Sequence, residues 1–507
     1  MTARAQPFPA LCLALLAAAS ATAVWFFATH GGLFDYGDAE AHWNIARRLA
    51  DSQTPGYDQI GTVWLPLPHW LLAPLAAVDT WWRNGLAAAL PSAVSYVVAG
   101  GFLFAAVRRL FDTAAAAVST AVFAGNPNLL YLQSTAMTEA VFFACLMALL
   151  YATIRFRQTQ GWGTVMAAGI ACCLGTLTRY EAWFLIPFVA AYFALQAQRR
   201  RLAMAAVFAT LAALGPLYWL AHNWWLSGDP LEFYRGPYSA LAIQGPASYP
   251  GRGNWPQAWL YFRSAAELCA GSWLWWIGLI GIAATVLKRA FWPLALLALP
   301  VVFYLWSMHS GASPIFVPTL WPNSFYNTRY GLAMLPLLAV SAAGVVALAP
   351  PPMRAAVAVA VAAAGIGYWV VHPGRQRWVT WEESRLNSEA RRAWVQEAAD
   401  YLGPRYLHGS GIVSASGEFR AVYRELGIPL RETLNADNGL IWLAALRRPD
   451  LFIWQEWALA IDGDAVEQSI VRAAGSGIRY RIEKTIHIKN SPAIEIYRRI
   501  GGSHGSA

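Results

Sequence analysis

Apolar residues fill most of the first 371 positions in long blocks, not in the narrow recurring stripe of a surface helix. Blocks near 20 residues match the roughly 30 Å of hydrocarbon in a bilayer. Eleven such runs fall at 9–29, 86–107, 113–131, 137–154, 162–178, 182–198, 202–221, 271–287, 291–307, 331–349 and 355–371. Several of them are short or carry a Pro, such as the runs with Pro300 and Pro336. The pattern therefore predicts a polytopic α-helical membrane protein with about eleven transmembrane helices. Every second junction between the runs forms one of the loops of a single side: 30–85, a tight turn around 126–139, the short turn 178–181, 222–270 and 308–330.

Within 30–85 the pattern changes period. Trp43, Ala46 and Leu49 share one helical face and Arg47 and Arg48 the other, which predicts an interfacial helix over 39–50. A second apolar piece, 68–78, is too short to span, ends at Asp79, and reads as another interfacial helix. Beyond 371 the blocks stop. Helical patterns at 384–402, 417–426, 436–447 and 464–474 interleave with strand-like runs at 411–415, 451–455, 479–487 and 493–498, predicting a small α/β domain over 372–507. It contains no Gly-rich phosphate loop, paired His or Cys-x-x-Cys motif, and reads as accessory to a catalytic domain over 1–371.

Composition agrees: 57% of the 507 residues are hydrophobic and 13% charged, against about 25% charged in an average soluble protein. The net charge of +9 raises the question of nucleic acid. It dissolves once charge is located: 19 Lys and Arg face 12 Asp and Glu in 1–371, and 18 face 16 in 372–507, so neither part is a basic nucleic-acid surface. With the N-terminus in the cytoplasm, alternate junctions hold Arg4, Arg108, Arg109, Arg155, Arg157, Arg199, Arg200, Arg201, Lys288, Arg289 and Arg354 against the single acid Asp112. That is the positive-inside signature, and it places the C-terminal domain and the other acids outside the cytoplasm of an inner-membrane protein. The first run stays apolar through Trp25, Phe26 and Phe27, so it reads as a retained anchor and not as a cleaved leader. The five Cys lie in or beside apolar runs and read as small buried hydrophobes.

The acids and arginines gathered on that outer side are the candidate chemistry, because ionisable groups at such depths are costly. Asp35, Asp38, Glu40, Asp58, Glu139, Glu181, Asp229 and Glu232 sit there with Arg179, Arg235 and Arg329. For several a structural role competes with a chemical one. Asp38 suits an N-cap of the 39–50 helix, Glu181 completes a Thr178-x-x-Glu181 capping box, Glu139 suits a helix N-terminus, and both arginines suit snorkelling. His42, His69, His222 and His309 share the side without metal-ligand spacing, which favours packing. Trp64, Trp224, Trp225 and Trp321 are candidates to stack on a sugar.

Asp38-Ala39-Glu40-Ala41-His42-Trp43-Asn44-Ile45-Ala46-Arg47, followed by Thr62-Val63-Trp64-Leu65-Pro66-Leu67-Pro68-His69, resembles the first outer loop of GT-C glycosyltransferases, in the branch of protein O-mannosyltransferases and lipid A aminoarabinose transferases. Met137-Thr138-Glu139, Thr178-Arg179-Tyr180-Glu181 and Asn327-Thr328-Arg329-Tyr330-Gly331 are similar to later motifs of that group, in the same order and on the same side. The resemblance implies a GT-C-like fold and an inverting transfer of sugar from a polyprenyl-phosphate donor to a glycan, lipid or protein acceptor. It implies Asp38 as base, Arg329 and Arg179 on the donor phosphate, and Glu139, Glu181, Asp35, Glu40, His69 and Tyr330 as substrate or metal contacts. Some members of the group use a divalent cation such as Mg or Mn, for which Asp38 and Glu139 are the candidate ligands. Membrane lipids are the other expected partner. A transporter or flippase, and a non-catalytic scaffold, remain the alternatives from other classes.

Overall fold

A computed structural model describes residues 10–245, 249–372, 378–415, 417–475 and 478–500. Arg4 of the junction count lies outside them. Each predicted apolar run contains a helix, but their lengths differ. Among the described residues seven helices are long and apolar enough to cross a membrane: Ala10–Thr29, Leu86–Leu110, Glu139–Thr159, Arg201–Ser227, Phe291–Ser310, Thr328–Leu348 and Pro351–Val371. A bent pair, Trp255–Ala270 and Ser272–Leu287, adds an eighth if it counts as one span. Thr113–Ala124, Trp162–Thr176 and Glu181–Gln196 are shorter apolar helices. The chain is an integral membrane protein.

The chain forms two compact units, each assembled from separate stretches. The first comprises 1–33, 61–68 and 89–383. Its centre is the helix Leu335–Leu348, almost every residue of which is buried. Small residues bring its neighbour close. A Cβ on Gly281 would meet the Ser341 carbonyl oxygen at 2.2 Å, and one on Gly344 would meet Thr285 Oγ1 at 2.1 Å. Without a hydrophobic drive between helices in lipid, such backbone proximity is what packs them. The stretches read as plain loops carry structure of their own. Pro127–Gln133 is a helix capped by the Asn126 side chain, and Trp255–Ala270 is a helix that turns by 110° into the next one. The turn falls at Gly271, whose φ of 81° favours glycine. Polar positions such as Arg263 and Glu267 break the apolar run of that helix and hide it from a search for spans.

The second unit comprises 34–60, 69–88 and 384–507. The two expected loop helices appear as Gly37–Arg48 and Leu67–Ala76, and a third, Asp79–Asn84, begins where Asp79 was expected to end the second. Arg47 and Arg48, expected on a solvated face, are buried. Arg47 bonds Asp51 at 2.9 Å and the carbonyls of Ala76 and Ala77, and Arg48 pairs with Asp437 at 2.5 Å. Asp51 accepts from the backbone N–H groups of Leu430 and Arg431, and Glu40 pairs with Arg424 at 3.2 Å. The charged face of the first loop helix is thus an internal surface against C-terminal residues.

Among the described residues five strands complete this unit: β1 Ile412–Ser414, β2 Thr433–Leu434, β3 Trp457–Ile461, β4 Tyr480–Ile486 and β5 Ile494–Arg499. Their order is β2-β1-β3-β5-β4, with β1 parallel to β2 and β3, and β5 antiparallel to β3 and β4. The strand expected at 451–455 is instead occupied at its start by the short helix Pro449–Phe452, with Pro449 in its first turn, where its missing N–H costs nothing. The central strand follows it as Trp457–Ile461. The two-residue β2 is too short to leave a periodic signal.

Candidate active site

Three of the motif segments meet in the first unit. The helix Glu139–Thr159 opens with Glu139, the helix Glu181–Gln196 opens with Glu181, and a 3-10 segment, Thr328–Met334, carries Arg329 and Tyr330. Two helix N-termini thus present carboxylates, which their dipoles favour. Arg179, on the turn before Glu181, joins them. Its Nε donates to Glu181 Oε1 at 2.5 Å, its Nη1 to Thr138 Oγ1 at 2.8 Å and Glu139 Oε1 at 3.0 Å, and its Nη2 to the Tyr304 hydroxyl at 2.6 Å. Four of its five N–H donors are thereby engaged. The Tyr304 hydroxyl donates in turn to Glu181 Oε1 at 2.8 Å.

Arg329 approaches Glu139 from the other side, Nε to Oε1 at 3.3 Å. Tyr330 lies beneath both arginines, 5.7 Å from Arg179 and 5.2 Å from Arg329 at the guanidinium carbon, and stacks on Tyr304 at 4.7 Å. Glu139, Glu181 and Arg329 are buried. The carboxylates of Glu139 and Glu181 thus face the two guanidiniums. Burial alone would weaken the Arg179 cation, but Glu181 above all, with Tyr304 and Glu139, holds its pKa well above the ordinary value. One acceptor remains: Glu139 Oε2 is buried and receives no hydrogen bond from the described residues.

The competing structural readings resolve here. Glu181 forms no capping box, since Tyr180 occupies the cap position without a side-chain bond and Thr178 Oγ1 donates to the Leu174 carbonyl. Glu139 and Arg329 are ion-paired inside the protein, and neither arginine is a snorkelling side chain. Tyr180, whose hydroxyl donates to the Val63 carbonyl at 2.7 Å and accepts from Trp219 Nε1 at 3.0 Å, fixes the turn that carries Arg179.

Asp38, Asp35, Glu40 and His69 belong to the second unit. Asp38 is not the N-cap that the sequence offers as its bland role. The helix begins one residue earlier, Tyr36 takes the cap position, and Asp38 stands partly exposed in the first turn. Glu40 is committed to structure, with Asn44 Nδ2 at 2.9 Å and Arg424 at 3.2 Å on its Oε1. Asp35 is buried, and burial pushes its carboxyl up against the opposing pull of Arg392, Arg391 and Arg385. Asp58 is exposed.

Sequence spacing did not reveal that His42 and His69 are partners. Nδ1 of one lies 2.9 Å from Nε2 of the other, with both rings buried, so the pair ties the first two loop helices together. Tyr304 and Thr138 were also missed, one hidden in an apolar run and the other beside a motif acid. Among the described residues no group of three or more His, Cys, Asp or Glu side chains is placed to hold a metal ion. Asp38 and Glu139, the candidate ligands for a divalent cation, belong to the second and the first unit.

Residues 65–225 match the family model described as dolichyl-phosphate-mannose-protein mannosyltransferase. The structure is similar to that of ArnT from Cupriavidus metallidurans bound to undecaprenyl phosphate, with a TM-score of 0.60, 12% identity, and coverage of 96% of this chain and 98% of that one. The apo form of the same protein gives 0.61 at 12% identity, with 95% and 97% covered. An Archaeoglobus fulgidus oligosaccharyltransferase in complex with Zn and sulfate gives 0.50 at 12% identity, with 89% and 68% covered. No curated protein matches the chain by sequence. Together these matches show a membrane protein with the GT-C glycosyltransferase fold.

Proposed function

We propose that this protein is an inverting glycosyltransferase that moves a sugar from a polyprenyl-phosphate carrier to a hydroxyl or amine of a glycan, lipid or protein on the extracytoplasmic face of the inner membrane. The observation that carries the reading is the buried cluster of Arg179, Arg329, Glu139, Glu181 and Tyr304 at the ends of apolar helices in a chain of this fold. A buried set of ion pairs adds little net stability compared with well-packed apolar side chains. Retaining one at the mouth of a membrane helix bundle points to chemistry. Eleven spans, a cytoplasmic N-terminus and an extracytoplasmic C-terminal domain are the topology that accompanies this reading.

In the proposed reaction the acceptor O–H or N–H attacks the anomeric carbon and the bond to the carrier phosphate breaks from the opposite face. A positioned carboxylate takes the acceptor's proton as the new bond forms, which typically contributes 10²–10⁴-fold. Asp38, partly exposed in the first turn of its helix, is the candidate. The departing phosphate gains negative charge, and preorganised cations lower that barrier. Arg329 is the principal phosphate ligand in this scheme, because Arg179 already commits four of its N–H groups within the cluster. Arg179 then contributes charge and its remaining N–H. Glu139 Oε2, buried without a donor, is suited to accept a sugar hydroxyl.

The test is transfer by purified protein in a bilayer mimic, using polyprenyl-phosphate-linked sugars and following release of polyprenyl phosphate. Asp38→Asn should reduce turnover by at least about 10²-fold while leaving donor binding and the melting temperature unchanged. Substantial turnover by that variant would remove Asp38 from the scheme. Loss of activity on chelation, restored by Mg or Mn, would require a metal that the scheme omits.

A further inference from the structure

The segment that carries Arg329 and Tyr330 is held by residues that take no part in the reaction above. It starts at Asn327, which has a left-handed backbone with φ of 54° and makes no side-chain cap for the 3-10 turn that follows. The orphan N–H of Thr328 is satisfied from 55 residues downstream instead. Glu383, 2% exposed on the helix Val379–Asn387, accepts the Thr328 N–H on Oε2 at 2.8 Å and the Thr328 hydroxyl on the same oxygen. Cys269 Sγ donates to the Thr328 carbonyl at 3.2 Å. Gly331 is pressed on Ala265, whose carbonyl carbon a Cβ would meet at 2.5 Å. The turn is therefore fixed on both sides of Arg329, and Glu383 is the charged member of that frame. Its helix is anchored independently, by Thr380 N–H to Asn128 Oδ1 at 3.0 Å and by Trp381 against Phe27.

We infer that Glu383 is a positioning residue for Arg329: by capping the Asn327–Thr328 turn it holds the guanidinium between Glu139 and Tyr330, and so sets the affinity for the donor's phosphate without touching the donor. A carboxylate bonded to a backbone N–H is a strong, charge-assisted anchor, and a guanidinium displaced by even about 1 Å loses its phosphate geometry. The inference rests on the reading of Arg329 as the phosphate ligand.

Undecaprenyl phosphate without sugar is the probe, and its binding to the full-length protein in detergent is measured together with melting temperature. Glu383→Ala should weaken binding by about tenfold. Glu383→Gln, whose amide oxygen can accept both Thr328 bonds, should recover most of that loss. In an Arg329→Ala background the Glu383→Ala change should have no further effect, because residues acting through one another are non-additive. If Glu383→Ala does not fold, Thr328→Val, which keeps the backbone N–H, serves in its place with a loss of about threefold and the same non-additivity. Effects of Glu383 and Arg329 that multiply, or an unchanged affinity in Glu383→Ala while Arg329→Ala binds weakly, would overturn the positioning role and leave the clamp standing. Unchanged binding by Arg329→Ala would overturn the clamp itself, and this inference with it.

Discussion

Tyr304 shows how much of the site depends on one neutral side chain. It sits in a run that reads as membrane span, yet its hydroxyl accepts from Arg179 and donates to Glu181, so it links the cation to the acid that balances it. Its position in an apolar helix gave no signal, because a lone Tyr near a span end ordinarily marks an interface. The motif acids and arginines were legible for the opposite reason: charge is so scarce before residue 372 that every ionisable group outside the basic junctions stands out. What the sequence could not supply was which of them pair, since, apart from Arg179 and Glu181, the partners are 40 or more positions apart. Tyr304→Phe keeps the ring stacked on Tyr330 and removes only the hydroxyl. It should lower kcat/KM by about tenfold and cost about 1–3 kcal/mol of stability. Glu139→Ala removes the carboxylate that both guanidiniums share, and should cost about 3–5 kcal/mol. Thermal melting of the two purified variants should rank them in that order; a Glu139→Ala protein as stable as wild type would mean the cluster is hydrated and not buried.

At the scale of elements, the helix Gly37–Arg48 separates what pattern can and cannot tell. Its existence and extent followed from period alone, within about two residues at each end. Its environment did not, because a charged face reads as solvated unless the partner is known, and the partners here come from nearly 400 positions away. Arg48 and Asp437 are the clearest case. Burial would raise the Asp437 carboxyl, but Arg420 and Arg48 overcome it and hold its pKa at about 2, against an ordinary 3.8. A carboxyl with a lowered folded-state pKa stabilises fully above its unfolded value, and loses that contribution as pH falls from about 4 towards 2. The shift corresponds to roughly 2 kcal/mol. Asp437→Asn should therefore melt below wild type at pH 7, and the gap should narrow as the pH is lowered through that window. A gap of constant size would show that the pair contributes packing without charge.

At the scale of the whole chain, the sequence divides at 371, where apolar blocks give way to α/β alternation, and the later part reads as an accessory domain. The compact units divide differently, since the second takes in the loop helices at 34–60 and 69–88 together with 384–507. Periodicity could not show this, because it reports each segment's own surface and not what that surface packs against. The consequence bears on Asp38. Its helix is held by Arg424 on Glu40 and by Asp437 on Arg48, and Asp51 beyond its end by the Leu430 and Arg431 backbone and the Arg431 side chain at 3.0 Å. Deleting residues 388–507 keeps Glu383 and its Thr328 bonds but strips those partners, leaving Arg48 and Glu40 with buried charge uncompensated and Asp51 with Arg47 alone. The truncated protein should still insert and bind undecaprenyl phosphate through the Arg329 cluster, yet transfer no sugar, because the helix that carries the base has lost its support. Limited proteolysis should find new cleavage within 34–60, and donor binding and turnover should separate. Sugar transfer at an undiminished rate by the truncated chain would show that the loop helices stand without the C-terminal residues, and would return 388–507 to the accessory role its sequence first indicates.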